Sequence, residues 1–188
     1  MFGKISRFFD ERIGDYMKYT SVEANKLLRK LNEEKSQLEA MEKQSSTFNA
    51  ALGEDIESVR PAYDYVKVQE KLIDLDSKIR TVKHAINLFN TNQVVPEFNM
   101  TIDQMLVYIP QLTIRKQKLQ EMSMRLPKTR DNAIGFGRNS SIIDYRYTNY
   151  NPEQVKQDSQ EVSDLLAKTQ TALDVVNNLE KMEIDIEL

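Results

Sequence analysis

An unbroken heptad ladder between residues 65 and 89 constrains this chain most. Tyr65, Val68, Leu72, Leu75, Ile79, Val82, Ile86 and Phe89 follow one another at spacings of three and four. That spacing keeps one stripe of a helix facing a neighbouring helix along its whole length. The intervening positions are mostly charged or polar, among them Lys67, Glu70, Lys71, Asp74, Lys78 and Arg80. Such a helix buries a narrow seam and solvates the rest, so the chain is built from helices lying along helices.

Further helices follow from the same reasoning. Thr20 and Glu23 have capping-box spacing, and the stripe Ala24, Leu27, Leu28, Leu31, Leu38 and Met41 comes after them. A turn region over 46–60 leads to Pro61, which suits the first turn of the ladder helix. Val94, Val95 and Pro96 read as a short extended piece. Thr101 and Gln104 form a second capping box. The helix that follows carries Ile102, Met105, Leu106, Ile109, Leu112, Leu119, Met122 and Leu126, with Pro110 placed to kink or split it. Asn151 and Pro152 open a last helix with Val155, Val162, Leu166, Leu173 and Val176. The chain then closes on an acidic, apolar stretch that reads as a short strand.

Residues 128–150 are the one sizeable non-helical stretch. Ile143, Tyr145 and Tyr147 alternate in the strand period. A hairpin is predicted between about 132–136 and 142–148, with Arg138-Asn139-Ser140-Ser141 as its turn. Residues 1–17 form an amphipathic segment in which Ile5, Phe8, Phe9, Ile13, Tyr16 and Met17 share a face. Its balanced charge favours docking on protein over a membrane surface, where such helices are usually basic. The expected fold is therefore all-α. Residues 18–188 form an antiparallel four-helix bundle with long coiled-coil-like helices, plus a small β-hairpin near 132–148.

Composition removes several function classes. The chain has no Cys, so it has no disulfide framework and no thiolate chemistry, and a reducing cytoplasm suits it. A net charge of −3 gives no global pull toward nucleic acid, and no nucleic-acid partner is predicted. No run approaches the ~20 apolar residues of a membrane span. His84, the single histidine, falls between the seam positions Val82 and Ile86, on the solvent side. The carboxylates Glu33, Glu34, Asp74, Asp76, Glu153, Glu161 and Asp164 could in principle do acid–base or metal work. One histidine cannot complete the Glu-x-x-His pairs of di-metal bundles, and solvated faces with ion pairs account for them. No metal, cofactor or catalytic residue is assigned, and no phosphate loop is present.

The order of features resembles a family of uncharacterised helical bacterial and phage proteins often labelled septicolysin. Three places carry the resemblance, which spans roughly residues 18–188. They are Ala85-Ile86-Asn87-Leu88-Phe89-Asn90, then Thr101-Ile102-Asp103-Gln104-Met105-Leu106, then Ile143 to Tyr147 with the helix bearing Asp164, Ala167, Lys168, Leu173 and Asp174 and ending in Glu187-Leu188. The family usually has an Asn-Trp pair before the terminal acidic-Leu, and this chain has no Trp. The resemblance implies an all-α fold with a small β element and no established activity.

Three functions fit. The first is a non-enzymatic homo-oligomeric scaffold or interaction protein, using the seam Val68, Leu72, Leu75, Ile79, Val82, Ile86 and Phe89. The second is an oligomeric binder of a nucleotide-like or other anionic small molecule. Its candidate ligands-to-anion are Arg125, Lys128, Arg130, Arg138, Ser140 and Arg146, with Tyr145 and Tyr147 for stacking. The third is a prefoldin-like holdase.

Overall fold

The computed structural model describes residues 17–130 and 145–186. The amphipathic segment ahead of Met17 and the predicted turn around Arg138 lie outside the described residues. In chain order the elements are β1 (Met17–Thr20), α1 (Ser21–Ser45), α2 (Ile56–Val59), α3 (Tyr65–Asn92), β2 (Val94–Val95) and β3 (Met100–Thr101). They continue with α4 (Ile102–Ser123), β4 (Lys128–Arg130), β5 (Tyr145–Tyr147), α5 (Pro152–Leu179) and β6 (Lys181–Ile184). The described residues are mostly helical, with three small antiparallel strand pairs. They divide into two compact units, one built from residues up to Asn92 with the stretch from Val176, the other from Gln93–Val175.

In the first unit α1 and α3 form an antiparallel hairpin. Gln69 Nε2 and the Tyr63 hydroxyl both donate to Glu42 Oε1 at 2.8 Å, and Lys35 Nζ donates to Asp76 Oδ1 at 2.7 Å. Moving back along α1 from Glu42 to Lys35 moves forward along α3 from Gln69 to Asp76, as opposed directions require. The Glu42 carboxylate accepts a hydrogen bond from the Tyr63 hydroxyl, and this pushes the phenol up to about 12. The ladder does what its spacing predicts. Val68, Leu75, Ile79, Val82 and Ile86 are buried, Leu72 and Phe89 are half-buried, and His84 is exposed. Tyr65 departs from it and is exposed, because the seam runs out where α3 begins.

Against this hairpin lies a two-stranded ribbon of β1 and β6. β6 pairs antiparallel with β1, Met17 opposite Ile184 and Thr20 opposite Lys181. Met182, Ile184 and Ile186 are buried while Lys181, Glu183 and Asp185 are exposed, the period-2 alternation of a strand with one covered face. The three join Ala24, Leu31, Leu75, Ile79, Val82 and Ile86 in one core. The sequence predicts a short strand over 183–188; the strand found is Lys181–Ile184, and its partner is the stretch just ahead of the first helix.

Both capping boxes form. Glu23 N–H donates to Thr20 Oγ1 at 3.2 Å, and Thr20 N–H returns to Glu23 Oε2 at 2.9 Å. Gln104 and Thr101 repeat the exchange at 3.3 and 2.9 Å. The backbone N–H of Thr20 holds the Glu23 carboxyl below its ordinary value. A depressed carboxyl contributes stability above its unfolded pKa and loses it as pH falls through the folded one. Acidification below about pH 4.5 therefore loosens the start of α1. Glu23→Gln keeps the geometry, as Gln104 does in the other box. The expected result is a flatter dependence of the melting temperature on pH across the acid range than in the parent chain.

Some boundaries differ from expectation. Pro61 is not in the first turn of α3. The helix starts four residues later, where Asp64 Oδ1 accepts the Lys67 N–H at 3.2 Å and caps it. Pro110 neither ends nor splits α4, which runs unbroken to Ser123. The proline is on the exposed side, where water can serve the carbonyl it leaves unpaired.

In the second unit, β2 and β3 form a small hairpin whose turn places Asn99 in the left-handed region at φ 48°, a conformation asparagine tolerates. α4 and α5 then run antiparallel. The Tyr150 hydroxyl donates to the Met122 carbonyl at 2.8 Å near one end, and Lys168 reaches Glu97 at 3.5 Å near the other. Leu112, Val162 and Leu166 make their shared core, with Tyr108, Ile109, Leu119 and Leu165 around it. Thr169, a polar break in the α5 stripe, is fully buried and satisfies its hydroxyl on the Leu165 carbonyl at 2.6 Å.

Candidate functional site

Two surfaces could carry function, and each belongs to one unit. The first is the ribbon of β4 and β5 in the second unit. The predicted first strand at 132–136 lies outside the described residues. The strand that pairs with β5 is Lys128–Arg130, just after the proline that follows α4. The register sets Lys128 opposite Tyr147, Thr129 opposite Arg146 and Arg130 opposite Tyr145. Directly opposed residues share a face, and alternate residues along a strand return to it. Lys128, Arg130, Tyr145 and Tyr147 therefore stand on one face as an alternating array of cations and rings. Arg146 is on the other face with Thr129, whose hydroxyl donates to the Arg146 carbonyl at 3.4 Å. Arg125 sits ahead of the ribbon, with its backbone N–H on the Met122 carbonyl. Arg138 and Ser140 lie outside the described residues.

Within the array Lys128 Nζ lies 4.0 Å from the Tyr145 ring centroid and 5.5 Å from that of Tyr147. The ammonium is thus held over two π faces, an attraction of about 0.5–1 kcal/mol at exposed sites. Every residue of both strands is exposed. The six residues are solvent-exposed, whereas small-molecule sites usually bury most of their ligand.

The second surface is an open groove of about 540 Å³ along the hairpin of the first unit. Leu27, Leu31, Leu38, Met41 and Leu75 form its floor. Lys30, Glu34, Gln37, Lys71, Asp74 and Lys78 form its rim. Leu31 and Leu75 also belong to the unit's core, with Leu27 and Leu38 packed against it, so the groove continues that core and is open among the described residues. Lys78 pairs with Asp74 at 2.8 Å on its own helix. Reading the seam as a single stripe on α3 missed these rim residues. The signal was in α1, where Leu27, Leu28, Leu31, Leu38 and Met41 spread over more of the helix surface than one partner helix covers.

Among the described residues no group of three histidine and acidic side chains is gathered as a metal ion requires, and no helix is long and apolar enough to cross a membrane. The described architecture is that of a mostly helical protein with small antiparallel strand pairs. No family model matches the sequence, and no curated protein does. Among solved structures the chain is similar to the crystal structure of a functionally unknown conserved protein from Corynebacterium diphtheriae. That likeness has 13% identity and a TM-score of 0.55, over 88% of this chain and 99% of that one. At this identity it speaks for the fold alone.

Proposed function

We propose that this protein is a non-enzymatic, homo-oligomeric helical scaffold of the cytoplasm, working by contact between helical surfaces. The apolar groove on the α1–α3 hairpin, open among the described residues, is the observation that supports the reading. An apolar floor continuous with a core remains in water unless another surface covers it, and burial is worth roughly 25 cal/mol per Å². A two-helix hairpin offers half of a four-helix bundle, and further helices complete it. Light scattering on the full chain at micromolar concentration tests this. A mass that is a small multiple of the single chain is the expected result, and a monomer at every concentration sinks the reading.

The β4–β5 face favours a second reading, an anionic ligand with a planar group held by Lys128, Arg130, Tyr145 and Tyr147. It predicts a rise in melting temperature with at least one nucleotide that disappears in Arg130→Ala. Arg138→Ala extends the test to the connecting segment. No shift across a broad nucleotide panel would count against it.

A further inference from the structure

We infer that the β4–β5 ribbon, with the end of α4 beside it, is a docking surface for an anionic lipid bilayer. The inference goes beyond the oligomeric reading and does not depend on it, since a single chain carries the whole surface.

Charge is the first observation. From Arg115 to Tyr147 the sequence has eight Lys and Arg against three acidic residues, in a chain whose totals are 26 and 29. An anionic surface repels a chain of net charge −3 as a whole, and attracts it only with this stretch in front. Among the described residues, neither Met122–Arg130 nor Tyr145–Tyr150 contains an acidic one. Arg125 and Arg130 have no ion pair among the described residues, and the Lys128 ammonium meets only the rings of Tyr145 and Tyr147. Acidic residues return at the start of α5, with Glu153, Asp158 and Glu161. The basic surface is therefore confined to the ribbon and the last turns of α4.

Exposed apolar side chains are the second observation, and they choose among anions. Met124 is 81% exposed at the end of α4, and Leu126 is 65% exposed just ahead of β4. Thr148 N–H donates to the Pro127 carbonyl at 3.1 Å, and the Tyr150 hydroxyl holds the Met122 carbonyl, so the ribbon is fastened to the end of α4. Aliphatic groups gain little beside the wet backbone of a polynucleotide. Under a layer of lipid phosphates they gain by entering the acyl boundary. Tyrosine is at home at headgroup level, with its ring inward and its hydroxyl in water. Lysine and arginine near the bilayer are drawn to its anionic lipids. Charge and apolar insertion together are the two signals that reversible attachment to a membrane takes.

Co-sedimentation of the full chain with vesicles tests this. One set is phosphatidylcholine alone, the other equal parts phosphatidylcholine and phosphatidylglycerol. The chain is expected to pellet with the anionic vesicles only, and less as salt rises. Lys128→Glu combined with Arg130→Glu is expected to lower the partition at least tenfold. Both positions are exposed, so the fold survives, as circular dichroism would show. Met124→Ser combined with Leu126→Ser keeps every charge and is expected to weaken binding severalfold. A chain that stays in the supernatant with anionic vesicles at low salt overturns the inference, as does a charge-reversed variant that pellets like its parent. An unchanged serine variant also overturns it, because the surface would then attract anions at large. Retention of a single-stranded oligonucleotide without vesicle binding would make a polynucleotide the partner and exclude the bilayer.

Discussion

Ile184→Ala is expected to lower the stability of the first unit by about 2–5 kcal/mol, the range for truncating a fully buried isoleucine. Ile184 is 1% exposed and stands near the end of the chain, in a four-residue strand. Terminal residues usually tolerate change. This one does not, because β6 closes the α1–α3 hairpin and its side chain shares a core with Leu31, Leu75 and Val82. The loss has two parts, the transfer free energy of the deleted carbons and the cavity they leave. Ile73, on the same hairpin but 69% exposed, gives the contrast. Ile73→Ala is expected to stay within about 0.5 kcal/mol, since surface changes away from special features usually do. Urea unfolding of both variants checks the pair. An Ile184→Ala midpoint equal to that of Ile73→Ala would mean that β6 is not part of the core.

Met105→Ala is the corresponding lesion in the second unit. Met105 is 0% exposed, one turn into α4, and Val95 and Ile102 near it in sequence are almost as inaccessible. The expected loss is again about 2–5 kcal/mol. Met105→Leu conserves volume and is expected to cost less than about 1.5 kcal/mol. The ordering matters more than either value. If leucine were as damaging as alanine, the effect would come from a strained site and not from a lost side chain. Against typical domain stabilities of about 5–15 kcal/mol, either alanine variant would remove a large share of the folded margin.

The sequence was most legible where a single residue type performs one local task. Thr20 with Glu23, Thr101 with Gln104 and Asn151 with Pro152 each mark a helix start, because the cap is made within one turn. The ladder on α3 was legible for the same reason: its period states that a neighbour exists. It does not state which neighbour. That β6 pairs with β1 depends on residues at opposite ends of the chain, and only the alternation Met182, Ile184, Ile186 hinted at a strand with one buried face. Pro61 misled because proline permits a helix start without requiring one, and Asp64 supplied the cap instead. At the β4–β5 ribbon the sequence showed basic and aromatic residues close together but not which of them pair. The register then separated Arg146 from Lys128, Arg130 and the two tyrosines, a division that depends on which residues pair. The groove was the least legible feature, since a half-covered leucine has the same letter as a covered one.

Self-association that uses the α1–α3 groove is tested most directly by light scattering on the full chain and on its Met41→Glu variant at matched micromolar concentration. The expected result is a small multiple of the single-chain mass for the parent chain and a fall toward the single-chain mass for the variant. A parent chain that scatters as a monomer, or a variant that keeps the parent's mass, would contradict it.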